Sequence, residues 1–292
     1  MKDTIERAIV NLGEDTYNSE IAFFGGSFTA IDREYMLSLL EATEPYADRF
    51  MGIRISTRPD YIDHKILVLL KKYKVTTIEL GAQSMNDEVL RANNRGHSSD
   101  DVKNAAKLIK QHGFNLGLQM MTGLYKATPE SDLLTANEFV KLNPDCLRIY
   151  PTVVMKNTEL ADLYLNGVYK TYNLEESVRL CAEIMMLFEE HSINIIRVGL
   201  HYNDELVENQ LAGDYHPAFK ELCETEIFYK YIKSKLTVNK NIIIYVNPKS
   251  VSKLIGQNKT NIKRLSELGY NVTLKTDDTL GKYEVKVKGK GD

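Results

Sequence analysis

The sequence predicts an α/β protein, a partial or complete β/α barrel followed by a small separate α/β unit. Three observations carry this expectation. Short apolar runs alternate with amphipathic segments through the first 200 residues, the signature of successive βαβ units and a parallel sheet. No internal Gly-x-Gly-x-x-Gly interrupts them, which sets aside a dinucleotide-binding sheet. After Gly199 the alternation breaks, and it resumes from Asn241 in a segment of opposite charge.

In order, residues 2–13 read as the later part of a helix closed by Gly13, and 20–24 as a short buried strand. A helix over 32–44 starts at Asp32, a good N-cap. Strand 52–56, helix 62–73 and strand 76–80 follow, then helix 99–112, which ends at Gly113. Strand 115–120, helix 129–141, strand 146–150, helix 174–191 and strand 194–199 complete the first part. A loop with one helix over 218–235 leads to strand 241–246, helices 249–255 and 259–268, and strands 271–275 and 283–287. The expected divisions are therefore 1–200, a connecting 201–240, and 241–292.

At 292 residues, 43% apolar and 26% charged, the chain has material for one large domain and a small one. The start, Met-Lys-Asp-Thr-Ile-Glu-Arg, has no apolar signal region, and no apolar run approaches the roughly 20 residues that span a bilayer. A cytoplasmic protein without membrane contact is expected. Cys146, Cys181 and Cys223 stand 35 and 42 residues apart, a spacing that fits neither a disulfide framework nor a self-contained metal site. Each reads as a small buried hydrophobe. Residues 230–292 hold 14 Lys/Arg and 5 Asp/Glu, a net of +9, against −12 for the rest. Such polarity points to a second unit facing a polyanion.

In a β/α barrel the chemistry sits at the C-terminal ends of the strands. Those ends carry Gly25-Gly26-Ser27, Ser56 to Asp60, Glu79 with Gln83 and Ser84, Arg91, Arg95 and His97, Gln119 to Gly123, and Arg148, Tyr150 and Arg197. Such donors, acceptors and small residues suit a polar cofactor across the barrel mouth. A strand that stops in Gly-Gly also lets a ligand approach the main chain.

Phe-Phe-Gly-Gly-Ser-Phe-Thr, Ile-Ser-Thr-Arg-Pro-Asp, Glu-Leu-Gly-Ala-Gln-Ser, Asn-Arg-Gly-His, Met-Met-Thr-Gly-Leu and Leu-Arg-Ile-Tyr-Pro-Thr occur in this order. The run, over about residues 15–225, resembles radical S-adenosylmethionine (SAM) enzymes of the branch related to the Elongator catalytic subunit. Oxygen-independent coproporphyrinogen oxidases share some of the same stretches. The resemblance implies a barrel of that type, with SAM as cofactor and a 5′-deoxyadenosyl radical as its reactive product. It implies that Gly25, Gly26 and Ser27 receive the methionyl amino group and that Ser56 and Arg58 face the cofactor. Glu79 and Gln83 would lie near ribose and carboxylate, and Gln119 to Gly123, Met121 among them, near adenine. Structural readings stand beside these. The Gly-Gly can be a tight turn, Arg58 a capping ion pair before Pro59-Asp60, and Glu79 a buried carboxylate paired with Arg54 or Arg58. His97 reads as a support for the loop before helix 99–112, and Met120-Met121 as core.

The resemblance also implies a four-iron, four-sulfur cluster on a Cys-x-x-x-Cys-x-x-Cys loop after the first strand. This chain has no cysteine before Cys146. The expectation is a barrel lacking its first strand and cysteine loop, unable as given to assemble the cluster or cleave SAM. A further departure is the segment 122–128, where relatives carry a Pro- and Gly-rich loop.

Residues 245–265 resemble a type II KH (K-homology) fold, whose Ile-Gly-x-x-Gly loop clamps single-stranded nucleic acid. Ile255, Gly256, Ile262 and Leu265 fit, Gln257 and Asn258 take the variable places, and Lys259 replaces the second glycine. Gly256, Gln257, Asn258, Lys259 and Lys263 are the implied nucleic-acid contacts. A lysine-rich cap is the alternative. Together the resemblances imply radical SAM chemistry on RNA, tRNA by analogy, with an electron donor that the sequence does not specify. No acetyltransferase-like extension accompanies it. The other reading is a non-catalytic RNA-binding protein made of a barrel remnant and a KH-like module.

Overall fold

The computed structural model describes residues 1–213 and 215–290. They form two compact units, Met1–Thr152 with Phe188–Arg197 and Val153–Leu187 with Val198–Asp292. Residues 201–240, expected as a connection, share the second unit with the basic tail.

In the first unit, β1 (Glu20–Phe23), β2 (Gly52–Thr57), β3 (Val75–Gln83), β4 (Asn115–Thr122) and β5 (Cys146–Pro151) pair in chain order, each parallel to the next. The sheet curls into half a barrel. α1 (Lys2–Leu12) precedes them, and between the strands run α2 (Arg33–Glu41), α3 (His64–Lys72), α4 (Asp87–Ala92), α5 (Ser99–Gln111) and α6 (Pro129–Leu142). Period-two burial explains the layering. Ile53, Ile55, Ile78, Leu80, Leu116, Leu118, Leu147 and Ile149 are buried under helices that contribute Leu67, Leu70, Val102, Ile109 and Phe139. The residues between them on each strand form a second, polar face.

Local chemistry fixes the helix starts. Asp32 accepts from the Tyr35 N–H at 2.9 Å and Asp63 from Ile66 at 2.7 Å. Reciprocal capping boxes, Ser98 with Asp101 and Thr128 with Ser131, open α5 and α6, and Pro129 takes the first helical position of α6.

Val154–Met155 (β6) opens the second unit and is followed by α7 (Glu159–Leu165) and α8 (Leu174–Glu190). β7 (Ile195–Val198) then joins the first sheet beyond β5, giving the order β1-β2-β3-β4-β5-β7. After α9 (Asp204–Asn209), β8 (Gln210–Ala212) pairs antiparallel with β6. The sequence missed α4, α7, α9, β6 and β8 because strands of two or three residues and helices of six or seven carry almost no period to read.

The basic module comprises α10 (Phe219–Ser234), β9 (Asn241–Val246), α11 (Val251–Ile255), α12 (Thr260–Glu267), β10 (Asn271–Thr276) and β11 (Val285–Gly289). Its sheet runs β10-β9-β11, with β10 parallel and β11 antiparallel to β9. Helix α10 is part of this module. Glu224, 2% exposed, meets Lys253 at 3.0 Å and the Tyr283 hydroxyl at 3.1 Å. Glu226 meets Arg264 at 2.6 Å, and the Asn261 amide donates to the carbonyls of Thr225 and Leu254. A Cβ on Gly256, whose φ is 74°, would lie 2.5 Å from Thr225 Cγ2. Gly256→Ala therefore combines a left-handed backbone with overpacking and is expected to destabilise the module by about 2–3 kcal/mol. Urea unfolding followed by circular dichroism measures this.

Among the described residues no helix is long and apolar enough to cross a membrane.

Candidate functional site

The polar face of the first sheet carries Glu20, Arg54, Ser56, Thr77, Glu79, Gly117, Gln119, Met121, Cys146, Arg148 and Tyr150 at alternate strand positions. Ser56, Glu79, Gly117 and Cys146 stand level on adjacent strands. Glu79 is the hub of this face and is 2% exposed. Its Oε1 accepts from Arg54 at 2.8 Å, and Arg148 donates to both of its oxygens, at 2.7 and 3.1 Å. Arg54 also donates to Glu20 at 2.7 Å. Two carboxylates and two guanidiniums thus balance in a partly dry interior, where an unbalanced charge would be costly. Their hydrogen bonds raise Arg54 and Arg148 above the ordinary guanidinium value, against a desolvation that acts the other way. Gly117 makes room for the hub, since a Cβ there would come within 2.5 Å of Glu79 Cγ. Glu79, expected to pair with Arg54 or Arg58, pairs with Arg54 and Arg148, while Arg58 bonds to Asp60 instead. Cys146 lies 3.3 Å from Arg54, and burial pushes its thiol pKa up.

The rim is built by the loops beyond the strands. Gly25, at φ 109°, and Gly26 are exposed, with nothing within 4 Å of the place a Cβ would occupy, so their main chain is open to a ligand. This loop is tied to β2 by the Thr29 and Thr57 hydroxyls, 2.6 Å apart. Phe24, 53% exposed, stacks beneath the Arg148 guanidinium at 4.8 Å. Gln83 takes a left-handed φ of 65° after a break in the β3–β4 register, and its Oε1 accepts from Gln119 at 3.2 Å. A bulge of this kind re-aims a side chain at a site. Arg58 leaves the sheet and grips Asp60 in two hydrogen bonds of 2.9 and 2.6 Å, the ion pair anticipated before Pro59.

Arg95 stands apart. Among the described residues its Nε is buried without a hydrogen-bond partner, and its Nη2 donates to the Met121 sulfur at 3.2 Å. Burial, and then the charge of Arg58, lower its pKa from the ordinary value. A partly desolvated guanidinium without a carboxylate favours an anion. The sequence placed Arg95 on the rim without assigning it a role, because nothing in the sequence shows that a given arginine lacks its carboxylate. Beside it, His97 Nε2 donates to the Ala82 carbonyl at 3.0 Å and braces the end of β3. Asp132, 1% exposed, holds the Gly123 N–H at 2.8 Å beneath the loop after β4, and burial raises its pKa to about 7. Met120 is core, whereas Met121 faces the rim.

Among the described residues no group of three or more His, Cys, Asp or Glu could hold a metal ion. All three cysteines are buried, and none forms a disulfide. In the basic module Gly256 to Lys259 link α11 and α12, with Asn258 and Lys259 both left-handed, at φ 52° and 59°. Gln257, Asn258, Lys259 and Lys263 are exposed. A cleft of about 490 Å³, lined by Val251, Leu274, Lys275 and Thr276, opens beside β10.

Comparison with known proteins agrees with this geometry. Residues 2–137 match the radical SAM superfamily and residues 144–228 its C-terminal domain. Human Elongator complex protein 3 is 31% identical over 198 residues, which is 60% of this chain and 36% of that protein. The tRNA uridine(34) acetyltransferase of Methanocaldococcus jannaschii is 31% identical over 191 residues, 58% of this chain and 35% of that protein. The chain thus spans about a third of the length of these curated relatives. The solved structure of archaeal Methanocaldococcus infernus Elp3 with an N-terminal deletion superposes with a TM-score of 0.67 at 25% identity, covering 80% of this chain and 58% of that one. Half-barrel, open Gly-Gly backbone and both family matches converge: the chain belongs to the radical SAM superfamily, in the branch related to the Elongator catalytic subunit.

Proposed function

We propose that this chain carries the cofactor cradle of an enzyme that uses SAM in radical chemistry on RNA, with tRNA as the substrate class. The observation that carries the reading is Arg95, a half-buried guanidinium whose Nε is buried without a partner and which has no carboxylate within ion-pair distance among the described residues, at the rim of a polar sheet face. The SAM carboxylate is the anion it would take. The open backbone of Gly25 and Gly26, with Ser27, receives the amino group. Ser56, Gln83, Gln119 and Met121 line the way across the face. Glu79, with both oxygens held by arginines, is a positioning residue, and Arg58, paired with Asp60, sits at the rim without a free charge to offer the cofactor. Bound SAM supplies the adenosyl group from which the superfamily's radical derives. The tRNA assignment is supported by the relatives named for tRNA uridine(34) acetylation and by the basic C-terminal module.

Arg95→Gln is expected to weaken SAM binding about tenfold or more, the effect of losing a charge-assisted hydrogen bond. Isothermal titration of the full chain measures it, with decarboxylated SAM as the control that should not distinguish the variant. Equal affinities of wild type and variant for SAM would remove this assignment.

A second reading, a non-catalytic RNA-binding protein, is favoured by one observation. The four-iron cluster of the superfamily does not fit the described residues, because the three cysteines are buried apart from any ligand set. Anaerobic incubation with iron and sulfide decides between the two. RNA binding with no cluster absorbance supports the second reading, and a stoichiometric cluster overturns it.

A further inference from the structure

The register of the small sheet places an unassigned surface on the face opposite its helices. Ile242, Ile244 and Val246 of β9 are fully buried, so Ile243 and Tyr245 point the other way. In register with Tyr245 stand Lys275 on β10 and Lys286 on β11. In register with Ile243 stand Thr273 and Lys288. Tyr245 and Ile243 are half-buried, while Thr273, Lys275, Lys286 and Lys288 are exposed. An aromatic and an aliphatic residue on the central strand are therefore flanked by lysines on both sides.

The charges of this face and of the helical face differ in kind. On the helical side, Lys253 and Arg264 are neutralised by Glu224 and Glu226. Among the described residues of the open face, Lys286 alone has a carboxylate, Asp277 at 3.2 Å. Lys275 and Lys288 have no carboxylate within ion-pair distance among the described residues. At the α11–α12 loop the side of Gly256 where a Cβ would stand is taken by Thr225 of α10, whose Cγ2 would lie 2.5 Å from it. Cations left unneutralised around a ring suit a ligand that brings its own negative charges together with flat apolar groups.

We infer that the open face of the β10-β9-β11 sheet binds single-stranded RNA, with a base stacked on Tyr245, a second against Ile243, and phosphates held by Lys275 and Lys288. Stacking platforms of this kind are sequence-tolerant, and the lysines set a salt-dependent affinity. The inference rests on the RNA reading above and deepens it. It assigns the reading surface to the sheet and leaves Lys259 and Lys263 as outlying cations on the helical side.

The test is fluorescence anisotropy of the full chain with a labelled unstructured RNA oligonucleotide, titrated over a range of salt. Tyr245→Ser is expected to weaken binding about tenfold, while Tyr245→Phe, which keeps the ring, stays within about twofold of wild type. Lys275→Gln with Lys288→Gln should lower the slope of log affinity against log salt by about 1.4, or ~0.7 for each lost phosphate contact. Lys259→Gln with Lys263→Gln is the comparison and should change affinity less. Circular dichroism confirms folding, and the Phe variant and the surface lysine pair keep the test valid if Tyr245→Ser unfolds. RNA bound with wild-type affinity by the sheet-face variants overturns this inference and leaves the RNA reading standing. No RNA binding by the wild type overturns both. Poly-glutamate bound as tightly as RNA, and lost with the same lysines, would assign the face to an acidic protein partner instead.

Discussion

Glu79→Ala is expected to destabilise the first unit by about 3–5 kcal/mol, as when one member of a buried ion network is removed. The carboxylate is 2% exposed and serves two guanidiniums. Arg54 would keep Glu20, whereas Arg148 would retain no carboxylate within ion-pair distance among the described residues. Arg148 is 14% exposed on its side chain, so water recovers part of the loss and the lower end of the range is favoured. Glu79→Gln keeps shape and one acceptor and should fall between wild type and alanine. Urea unfolding measures the effect, and a double-mutant cycle with Arg148→Ala isolates the pair. A loss under about 1 kcal/mol would mean that solvent screens the hub as it does a surface pair.

The second large effect is one of pH. Asp132 titrates near 7 in the folded chain, above its ordinary 3.8, because burial disfavours the charged carboxylate more than the Gly123 N–H favours it. Between those values the folded chain holds a proton that the unfolded chain has released. The resulting stabilisation is complete below about pH 4 and is lost as pH rises through 7, a span of about 4 kcal/mol. Asp132→Asn keeps the acceptor for Gly123 and cannot ionise. The fall in stability between about pH 4 and 7 that Asp132 contributes should be missing from the curve of this variant, as the wild-type-minus-variant difference shows. Parallel curves for the two proteins would rule the titration out. The same carboxyl braces the loop after β4, so SAM affinity measured across this range reports whether the brace matters to binding.

Much of the architecture was legible because burial imposes periods. Strand 241–246 and helices 99–112 and 129–141 stand within a residue of where apolar spacing and caps place them. β3 runs to Gln83 and not Leu80, because a register break carries the chain past Gly81 before it leaves the sheet. The rim was legible as a set of residue types, while the pairings were not. Whether Arg58, Arg95 or Arg148 is the arginine without a carboxylate depends on where Asp60 and Glu79 reach, which spacing along the chain does not encode. Asp132 lay hidden for the same reason: it reads as an ordinary first-turn acid until the helix turns it inward.

The three buried cysteines divide unevenly, Cys146 in the first unit and Cys181 and Cys223 in the second. Burial holds the Cys146 and Cys223 thiols above their ordinary pKa, so both are slow to react while folded. A thiol reagent then labels each unit only when that unit opens. Mass spectrometry of partly labelled protein would distinguish molecules modified at Cys146 alone, at Cys223 alone, or at both. The chain therefore carries its own clock for each half, able to show whether the barrel and the basic module come apart in one cooperative step or as separate foldons.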